Sequence, residues 1–513
     1  MVKRLALIAL CCALLAGCTG PGGAYVPTGD ALYQPTTALP IQTDPEREQE
    51  MVMVYYPDKS MNPYTATDFT NRALFPLVYQ GLFSVDADYQ ATPVLCSGYS
   101  VNKDMTVHTF YLEKATFSDG TTLTAEDVVR SLLAAKAGSV YSGRFRQIKS
   151  ILAADDGGVV ITTTTPYENL PILLDVPIVR ADQVEEAQPL GTGPYYYATG
   201  FSGLRLCRRE NWWCRANLSI TASNITLRQA TSPSQIRDQF QFEDVTLVCA
   251  DPGSDTYADY RCDFELWDCE NGIFVYLGCN SESIVFSNTA VRAALTHAIN
   301  RDALTEQYYG GFARAAVLPA SPKSPYYSTL LAGHYGYAEG TLRSAVESAG
   351  MTDWSITLLV NSDDTMRVRT ARAIAAQLRL EGLNVKLSEL GGSSYRSALK
   401  KGEYDLYLGQ TKLSPNMDLS AFFSSKGALS YGGMDDASLL TLCWDALANE
   451  GNYYTLHQKV MEDGRLVPVL FRSYAVYARR GLLSELNPSR DNLFFYSIGK
   501  TMDSIRADAA GTT

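Results

Sequence analysis

Helix and strand patterns alternate through the second half of the chain, and this alternation limits the folds open to it. The segments, in order, are amphipathic helices at 288–309 and 341–350, a strand at 353–361, a helix at 367–383, a strand at 384–390, a helix at 395–402 and a strand at 404–409. Strands separated by helices of this length are typical of βαβ units, in which the strands run parallel. The sequence therefore predicts an α/β lobe in this part of the chain.

The first half of the chain is richer in strand patterns than in helical patterns. Strands are expected at 51–56, 107–113 and 159–165, helices at 71–82 and 125–136, and a strand-rich stretch from 191 to 250. The segment 467–481 is predicted to return out of the α/β lobe as strand. With 513 residues the chain is too long for one hydrophobic core, so we expect two or three lobes.

The first eighteen residues have the pattern of an export signal. Lys3 and Arg4 precede an apolar run at 5–15, which is too short to span a bilayer comfortably as a helix of the mature protein. The run ends in Leu-Ala-Gly-Cys18, which resembles the lipobox of bacterial lipoproteins. That resemblance implies cleavage before Cys18 and attachment of lipid to it. The alternative is an ordinary cleaved signal with an incidental cysteine.

Residues 19–48 are rich in Gly, Pro and Thr and have neither helical nor strand periodicity. They are predicted to be a flexible tether between the lipid and the folded body. No later segment has the roughly 18 consecutive apolar residues that a transmembrane helix needs. We therefore expect the body to lie outside the cytoplasmic membrane and to be held there by its N-terminus.

The chain is acidic, with a formal net charge of −12, and this disfavours attraction to a phosphate backbone. No nucleic-acid partner is expected. Tyrosine is abundant, at 32 residues against 18 phenylalanines. An apolar ring with a hydroxyl suits a ligand cleft as well as a partly hydrated core, and the composition leaves both open.

Eight cysteines remain after the export segment and Cys18 are set aside: Cys96, Cys207, Cys214, Cys249, Cys262, Cys269, Cys279 and Cys443. Export permits disulfides, and the close pairs Cys207 with Cys214 and Cys262 with Cys269 are the favoured ones. Buried free thiols are the alternative. The short Cys spacing of a structural zinc site is absent from this set, so no metal is expected.

Sequence motifs of common enzyme classes are missing. There is no G-x-S-x-G, none of the four histidines forms H-E-x-x-H, and no dinucleotide or phosphate loop is present. The acids Asp119, Glu126 and Asp127 could form an acidic active site. They fit better as a Ser-Asp-Gly turn followed by a helix start, with Thr124 as N-cap and Asp127 in a capping box. No cofactor is expected.

Several motifs, in register, resemble one family. Residues 61–130 contain MNP, LVYQGL and F-S-D-G-T-T-L-T-A-E-D-V, and they are followed by G-T-G-P-Y at 191–195, R-E-N-W-W at 209–213 and VRAAL with AINR at 291–301. This order is similar to that of the extracellular solute-binding proteins of the oligopeptide, dipeptide and nickel family (family 5), which serve ABC importers. The matches extend from about residue 50 to 475.

The resemblance implies an α/β, two-lobe periplasmic-binding-protein-like fold, type II and of the large peptide-binding class, with an extra subdomain in lobe one. The implied domains are a signal peptide at 1–18, a tether at 19–48, lobe one at 49–275, lobe two at 276–470 and a return to lobe one at 471–513. The two crossovers are expected near 272–278 and 468–471. A ligand would occupy the cleft between the lobes, which close by a hinge motion.

Seven residues are implied to bind ligand by their position in the motifs: Tyr55, Tyr56, Asn62, Arg130, Gln410, Thr411 and Lys412. For both tyrosines strand packing is an equal alternative, Asn62 suits its own turn, and Arg130 suits a solvated surface. Peptide binders of the family have an Asp for the peptide amino terminus where this chain has Lys412 or Leu413. Recognition of a free amino terminus is therefore not expected here.

The implied function is binding and not catalysis. A monomeric lipoprotein would capture a ligand, with a peptide favoured, and deliver it to the permease of an ABC importer. Sugars, other organic solutes and metal chelates are alternative ligands, and a sensor or scaffold with the same fold is an alternative role. The remaining alternative is an anchored hydrolase that uses the acids at 119–127.

Overall fold

The computed structural model describes residues 50–506 except 202, 215, 243, 254–259, 261, 353 and 484. Two predictions, the lipidated Cys18 and the tether at 19–48, lie outside these described residues. Those that are described belong to one compact unit, and the proposed division into lobes at 275 and 470 remains a prediction.

The strands are numbered in chain order: β1 (Met51–Tyr55), β2 (Phe83–Val85), β3 (Ala91–Pro93), β4 (Cys96–Val101), β5 (Val107–Leu112), β6 (Ile148–Ala153), β7 (Val159–Thr163), β8 (Tyr195–Gly200), β9 (Gly203–Arg208), β10 (Asn224–Gln229), β11 (Leu247–Ala250), β12 (Phe264–Cys279), β13 (Ala313–Ala315), β14 (Ser355–Asn361), β15 (Asn384–Leu390), β16 (Leu406–Lys412) and β17 (Leu466–Arg479).

The α-helices are α1 (Phe69–Arg72), α2 (Phe75–Val78), α3 (Ala125–Ala137), α4 (Pro233–Gln241), α5 (Thr289–Leu295), α6 (Arg301–Tyr309), α7 (Thr329–Ala332), α8 (Thr341–Ser348), α9 (Thr365–Leu380), α10 (Gly392–Lys401), α11 (Ser420–Phe423), α12 (Ala437–Ala448), α13 (Tyr453–Asp463) and α14 (Met502–Ile505). Short 3-10 turns lie at Ser142–Phe145, Leu170–Leu173, Ala181–Gln183, Thr296–Ala298 and Glu450–Asn452.

The predicted α/β lobe is confirmed by the pairing of β14, β15 and β16. β14 runs parallel to both β15 and β16, and helices α9 and α10 connect the three strands. Four of the seven residues of β14 are buried, which agrees with a sheet that helices cover. The helix faces pack into a core of their own, which includes Leu342, Ile374 and Leu378. Strand–helix alternation in the sequence was thus a reliable guide to this topology.

Two long antiparallel strands, β12 and β17, form the centre of the seven-stranded sheet. The first part of β17 pairs with the end of β12, which also pairs with β16. Its last part pairs with the start of β12 and with β11. The predicted crossover points lie opposite each other, since Phe274 pairs with Phe471 and Tyr276 with Pro468. A register shift between Glu270 and Phe274 interrupts the ladder there.

Three further sheets come from the first half of the chain. One has the order β1-β10-β9-β8, a second has the order β4-β5-β7-β6, and β2 and β3 form a two-stranded ribbon. Strands β1, β5 and β7 lie where the sequence predicts strands. Within the described residues the sheet of β4, β5, β6 and β7 shares no strand with the central sheet, and the extra subdomain in lobe one remains a prediction.

The predicted turn and capping box of the F-S-D-G segment are both confirmed. Thr124 accepts a hydrogen bond from the backbone N–H of Asp127, and the Asp127 carboxylate accepts one in return from the Thr124 N–H. Asp127 also accepts from the Ala181 N–H. Asp119 accepts from the Thr121 N–H and pairs with Arg180 at 2.5 Å. Asp119 and Asp127 therefore stabilise the turn and the helix start.

The G-T-G-P-Y motif is also structural. A Cβ on Gly191 would lie 2.1 Å from the carbonyl oxygen of Val78, and one on Gly193 would lie 2.6 Å from that of Leu77. Only glycine allows the backbone to approach α2 this closely. The guanidinium of Arg209 then donates to the carbonyls of Thr192 and Gly193 and so fixes the motif. Gly191, Gly193 and Arg209 therefore have a structural role in this turn.

The two favoured disulfides are corrected by the structure. Cys207 and Cys214 are separate thiols. The Cys269 thiol donates to the carbonyl of Ser489 at 3.2 Å and is therefore not bonded to Cys262. Spacing along the sequence could not reveal this, because it does not fix the direction of the sulfur atoms.

Among the described residues, no helix combines the length and apolar character needed to cross a bilayer.

Candidate functional site

A cavity of about 450 Å³ lies where the first, middle and last parts of the chain meet. Helix α1 and the turn at 140–146 contribute from the first part, and the end of β16 contributes from the middle part. The last part contributes Tyr474 and the segment 489–493. Its volume lies in the range of small-molecule sites, and Ile273, which lies at the predicted first crossover, is among its lining residues.

Aromatic rings form one wall of the cavity. Phe69 and Tyr474 stack with their ring centroids 4.6 Å apart, and both line the cavity. The ring of Tyr141 lies between two guanidiniums, with Arg72 at 5.5 Å and Arg144 at 5.0 Å from its centroid. Such cation–π contacts hold the two arginines in fixed positions without neutralising them.

A cluster of charges forms around Asp491. Its carboxylate lies 2.5 Å from Lys412 Nζ, 2.8 Å from Arg490 Nε, 3.1 Å from Arg144 Nη2 and 3.7 Å from Arg72 Nη2. Burial alone would raise the pKa of Asp491, but these four cations hold it well below its usual range. Asp491 therefore stays ionised and cannot serve as a general acid.

The same surroundings favour the charged form of Asp491 but disfavour that of Lys412. Desolvation lowers its pKa to about 8, and the attraction of Asp491 is opposed by the positive charges of Arg490 and Arg72. The Lys412 side chain is 38% exposed. It is therefore a cation that a ligand can reach and that loses its proton more readily than an ordinary lysine.

Gly272 explains how the C-terminal segment reaches the cavity. Its φ is +71°, and a Cβ there would lie 2.9 Å from Cζ of Arg490. The Arg490 guanidinium packs over this backbone and donates to the carbonyl of Leu413 at 2.7 Å, while the Leu413 N–H donates to the Gly272 carbonyl. The bulge in β12 thus seats Arg490 and Asp491 beside the end of β16.

Three of the seven implied site residues line the cavity: Gln410, Thr411 and Lys412. Gln410 Oε1 accepts a hydrogen bond from Arg472 at 3.2 Å, and Arg472 also pairs with Asp251. The end of β16 therefore presents three consecutive polar side chains to the cavity.

The other four implied residues lie away from the cavity and have other partners. The Tyr55 hydroxyl accepts from Gln229, and the buried Tyr56 donates its N–H to Asn71. The Asn62 amide donates to the carbonyls of Val184 and Glu186, and its oxygen accepts from the Tyr64 N–H. Arg130 is exposed on α3. The residues therefore have the positions that strand packing, a turn and a solvated surface predict.

Sequence reasoning missed the residues that dominate the cavity: Arg72, Tyr141, Arg144, Tyr474, Arg490 and Asp491. They come from a short helix, a turn, the end of a long strand and an irregular segment, none of which has a motif of its own. The one available signal was the pair of adjacent charges at 490–491 in a segment otherwise rich in turn residues.

The acids of the hydrolase alternative do not line this cavity. Asp119, Glu126 and Asp127 lie at a turn and a helix start instead. The carboxylates that do line it are Asp418 and Asp491. Asp418 accepts from the N–H and hydroxyl of Ser420, and Asp491 is surrounded by cations. The acidic-site hypothesis for 119–127 is therefore wrong at this cavity.

Within the described part of the chain, no three potential metal ligands come together.

A family model described as bacterial extracellular solute-binding proteins, family 5, matches residues 90–430. The glutathione-binding protein GsiB of Salmonella choleraesuis is 24% identical over 385 residues, which cover 72% of this chain and 73% of that protein.

Solved structures share the fold. The ABC transporter substrate-binding protein CtaP of Listeria monocytogenes superposes with a TM-score of 0.72 at 16% identity, covering 87% of this chain and 97% of that one. The oligopeptide-binding protein AppA of Bacillus subtilis, solved with a nonapeptide, gives a TM-score of 0.61 at 19% identity over 88% and 99% of the chains. The predicted two-lobe fold class is thereby confirmed.

Proposed function

Because the chain belongs to the bacterial extracellular solute-binding proteins of family 5, we propose that it captures a small ligand, a peptide in first place, and delivers it to an ABC importer. The observation that carries this proposal is the cavity of about 450 Å³ at the meeting point of the three parts of the chain. A ligand there would touch all three at once. Its binding would favour the closed arrangement of the lobes, which is the form that a permease would recognise.

The names of similar proteins support a peptide as the first ligand class to test. GsiB binds glutathione, a tripeptide, and AppA was solved with a nonapeptide. The cavity offers an aromatic wall for an apolar side chain and polar groups at the end of β16. Such a combination suits a short peptide or a compound of similar size.

Thermal unfolding of the full chain, purified in mild detergent, tests the proposal. The panel consists of Ala-Ala, Ala-Ala-Ala, glutathione, a disaccharide and a nickel–histidine chelate, each at several concentrations. A ligand that binds only the folded state raises the melting temperature, and the stabilisation grows as the logarithm of one plus the ratio of its concentration to Kd. We expect stabilisation by at least one peptide. Stabilisation by the sugar or the chelate alone would reject the peptide assignment.

We also propose that the protein is a monomeric lipoprotein held outside the cytoplasmic membrane through Cys18. The support is the charged, apolar and Leu-Ala-Gly-Cys pattern of its first eighteen residues. In cells, Cys18→Ala should move the protein from the membrane fraction to the soluble extracytoplasmic fraction. A membrane-bound Cys18→Ala variant would contradict the lipid anchor. Light scattering of the purified chain checks the monomer.

Binding without bond cleavage is the activity proposed here. The four cations around Asp491 hold its pKa well below the usual range, so it stays ionised and cannot protonate a leaving group, and the Asp418 carboxylate is already bonded to the N–H and hydroxyl of Ser420. Incubating the chain with the same peptides and analysing them by mass spectrometry should return them intact.

A further inference from the structure

The cavity carries more positive than negative charge. Its lining cations are Arg72, Arg144, Arg146, Arg490 and Lys412. The lining carboxylates among the described residues are those of Asp418 and Asp491. Asp175, which pairs with Arg144 at the edge of the cavity, adds a third. Five cations against three carboxylates give this partly buried space a net charge of about +2, because four of the cations share Asp491.

One carboxylate cannot satisfy the cations gathered around it. The two oxygens of Asp491 lie within 4 Å of four different cationic groups. A carboxylate offers about four lone-pair positions, whereas each guanidinium carries five N–H donors. Donors of this cluster are therefore left over, and concentrated positive charge of this kind is costly unless an anion shares it.

Arg72 is the clearest case of an incompletely satisfied cation. It donates to the Ala66 carbonyl at 3.4 Å and to the Tyr141 hydroxyl at 3.5 Å, and its nearest Asp491 oxygen is 3.7 Å away. Charge-assisted N–H···O bonds are normally about 2.7–2.9 Å long. The side chain is only 17% exposed, so bulk water does not replace the missing partners freely.

The end of β16 is unsuited to an ammonium group. Lys412 is the last residue of β16 and lines the cavity, and Leu413 next to it is buried. An amino terminus placed here would face the Lys412 ammonium. Asp418 is already bonded to Ser420, and Asp491 is shared among four cations, so neither carboxylate is available to compensate.

Building on the proposed function, we infer that the cavity recognises an anionic group of its ligand, with the guanidiniums of Arg72 and Arg144 and the ammonium of Lys412 as donors. A free amino terminus is not selected at this end. A carboxylate and a phosphate share the required chemistry, because each presents oxygens that a guanidinium can bind in pairs. For a peptide, the recognised group is its carboxyl terminus or an acidic side chain.

Calorimetry on the full chain with matched probes tests this inference. The probes are Ala-Ala, its C-terminal amide, its N-acetyl form, glutathione, glutathione diethyl ester, succinate and inorganic phosphate. We expect the amide and the diester to bind at least tenfold more weakly than the free acids, because a charged hydrogen-bond acceptor is lost. N-acetylation should change the affinity by less than about threefold. Succinate and phosphate distinguish a carboxylate from a phosphate site.

Lys412→Gln and Arg72→Gln are the matched variants, with Lys426→Gln, which changes an exposed lysine outside the cavity, as control. Each cavity variant should weaken binding of the free acid about tenfold and leave the amide unchanged. The ratio of acid to amide affinity therefore approaches one. A variant with a damaged fold would bind the acid and the amide more weakly by the same factor. The ratio of the two affinities would then stay at its wild-type value, so a change in the ratio reports the lost contact with the anion.

The possible results distinguish a failure of this inference from a failure of the proposed function. Equal affinity for Ala-Ala and its amide overturns the inference and leaves peptide binding intact. Binding of succinate or phosphate without any peptide supports the inference and rejects the peptide assignment. If none of the anionic probes binds, or if only N-acetylation abolishes binding, the inference is wrong.

Discussion

The ammonium of Lys412 lies 2.5 Å from Oδ1 of Asp491, although 79 positions separate the two residues in the chain. Lys412 ends β16, and Asp491 lies in the irregular segment after β17. The pair joins the predicted second lobe to the returning segment of the first. Because Lys412 is partly exposed, the pair adds little to stability. Its importance lies in placing an accessible cation at the edge of the cavity.

Binding of an anionic probe should weaken as pH rises through about 8. The pKa of Lys412 is lowered to about 8, and its neutral form cannot pair with an anion. The groups facing its ammonium are Asp491, Arg490, Arg72 and the Cys269 thiol. The affinity for N-acetyl-Ala-Ala, which has no amino group that titrates in this range, is measured by calorimetry from pH 6.5 to 9.5 and is expected to decline above pH 8. A decline of the same size in Lys412→Gln would contradict this assignment.

Replacing His457 should reduce the sensitivity of the protein to acid. The imidazole is fully buried, and neither of its nitrogens has a hydrogen-bond partner among the described residues. Burial lowers its pKa to about 3, whereas in the unfolded chain it is near 6.5. Stability is therefore lost as pH falls below 6.5, by about 2 kcal/mol between pH 7 and 5.

Between pH 7 and pH 5, the free energy of unfolding of His457→Leu should fall by about 2 kcal/mol less than that of the wild type. Urea denaturation at each pH measures it. His334→Leu, the same substitution at an exposed site, is the control and should retain the wild-type dependence. An unchanged pH dependence in His457→Leu would refute the prediction.

Gly191→Ala should destabilise the protein by about 3 kcal/mol. The added Cβ would lie 2.1 Å from the Val78 carbonyl oxygen and 2.7 Å from the ring of Tyr79, so the backbone must move. Gly336→Ala serves as control, because its Cβ would meet nothing within 4 Å. Chemical denaturation gives both values. A Gly191→Ala protein as stable as the control would show that this contact relaxes without cost.

Thr124→Ala should cost about 1 kcal/mol, the usual loss when an N-cap side chain is removed. The Thr124 hydroxyl accepts from the Asp127 N–H and donates to its carboxylate at 2.7 Å. Thr124→Ser keeps the hydroxyl and should stay within about 0.5 kcal/mol of the wild type. Thermal unfolding compares the two variants. Ligand binding is expected to be unaffected, since the capping box does not line the cavity.

Local patterns in the sequence predicted local structure well. The parallel strands β14, β15 and β16 follow from their alternation with helices, and the helix start at Thr124 follows from its capping residues. One expected helix, at 71–82, is instead the two short helices α1 and α2, with Pro76 at the start of the second. Proline lacks the N–H that a continuous helix would need at this point.

The sequence did less well where residues far apart must meet. Motif positions led to Gln410, Thr411 and Lys412 in the cavity, but Arg72, Arg144 and Asp491 were not found. Their neighbours in the chain carry no periodic pattern that predicts which charges will converge. The disulfide pairs chosen by spacing were wrong for the same reason, since spacing does not set the direction of a side chain.

By itself, the sequence determined the secondary structure of the α/β part and the structural motifs, because these depend on hydrophobic periodicity, capping and turn chemistry within short segments. The family followed from the resemblance of the ordered motifs to those of known proteins. Only the tertiary structure decided the charge of the cavity. Gly272 lets Arg490 pack over the β12 bulge, and this contact places Asp491 among cations from three parts of the chain. Electrostatics depends on distance in space, and the fold sets that distance.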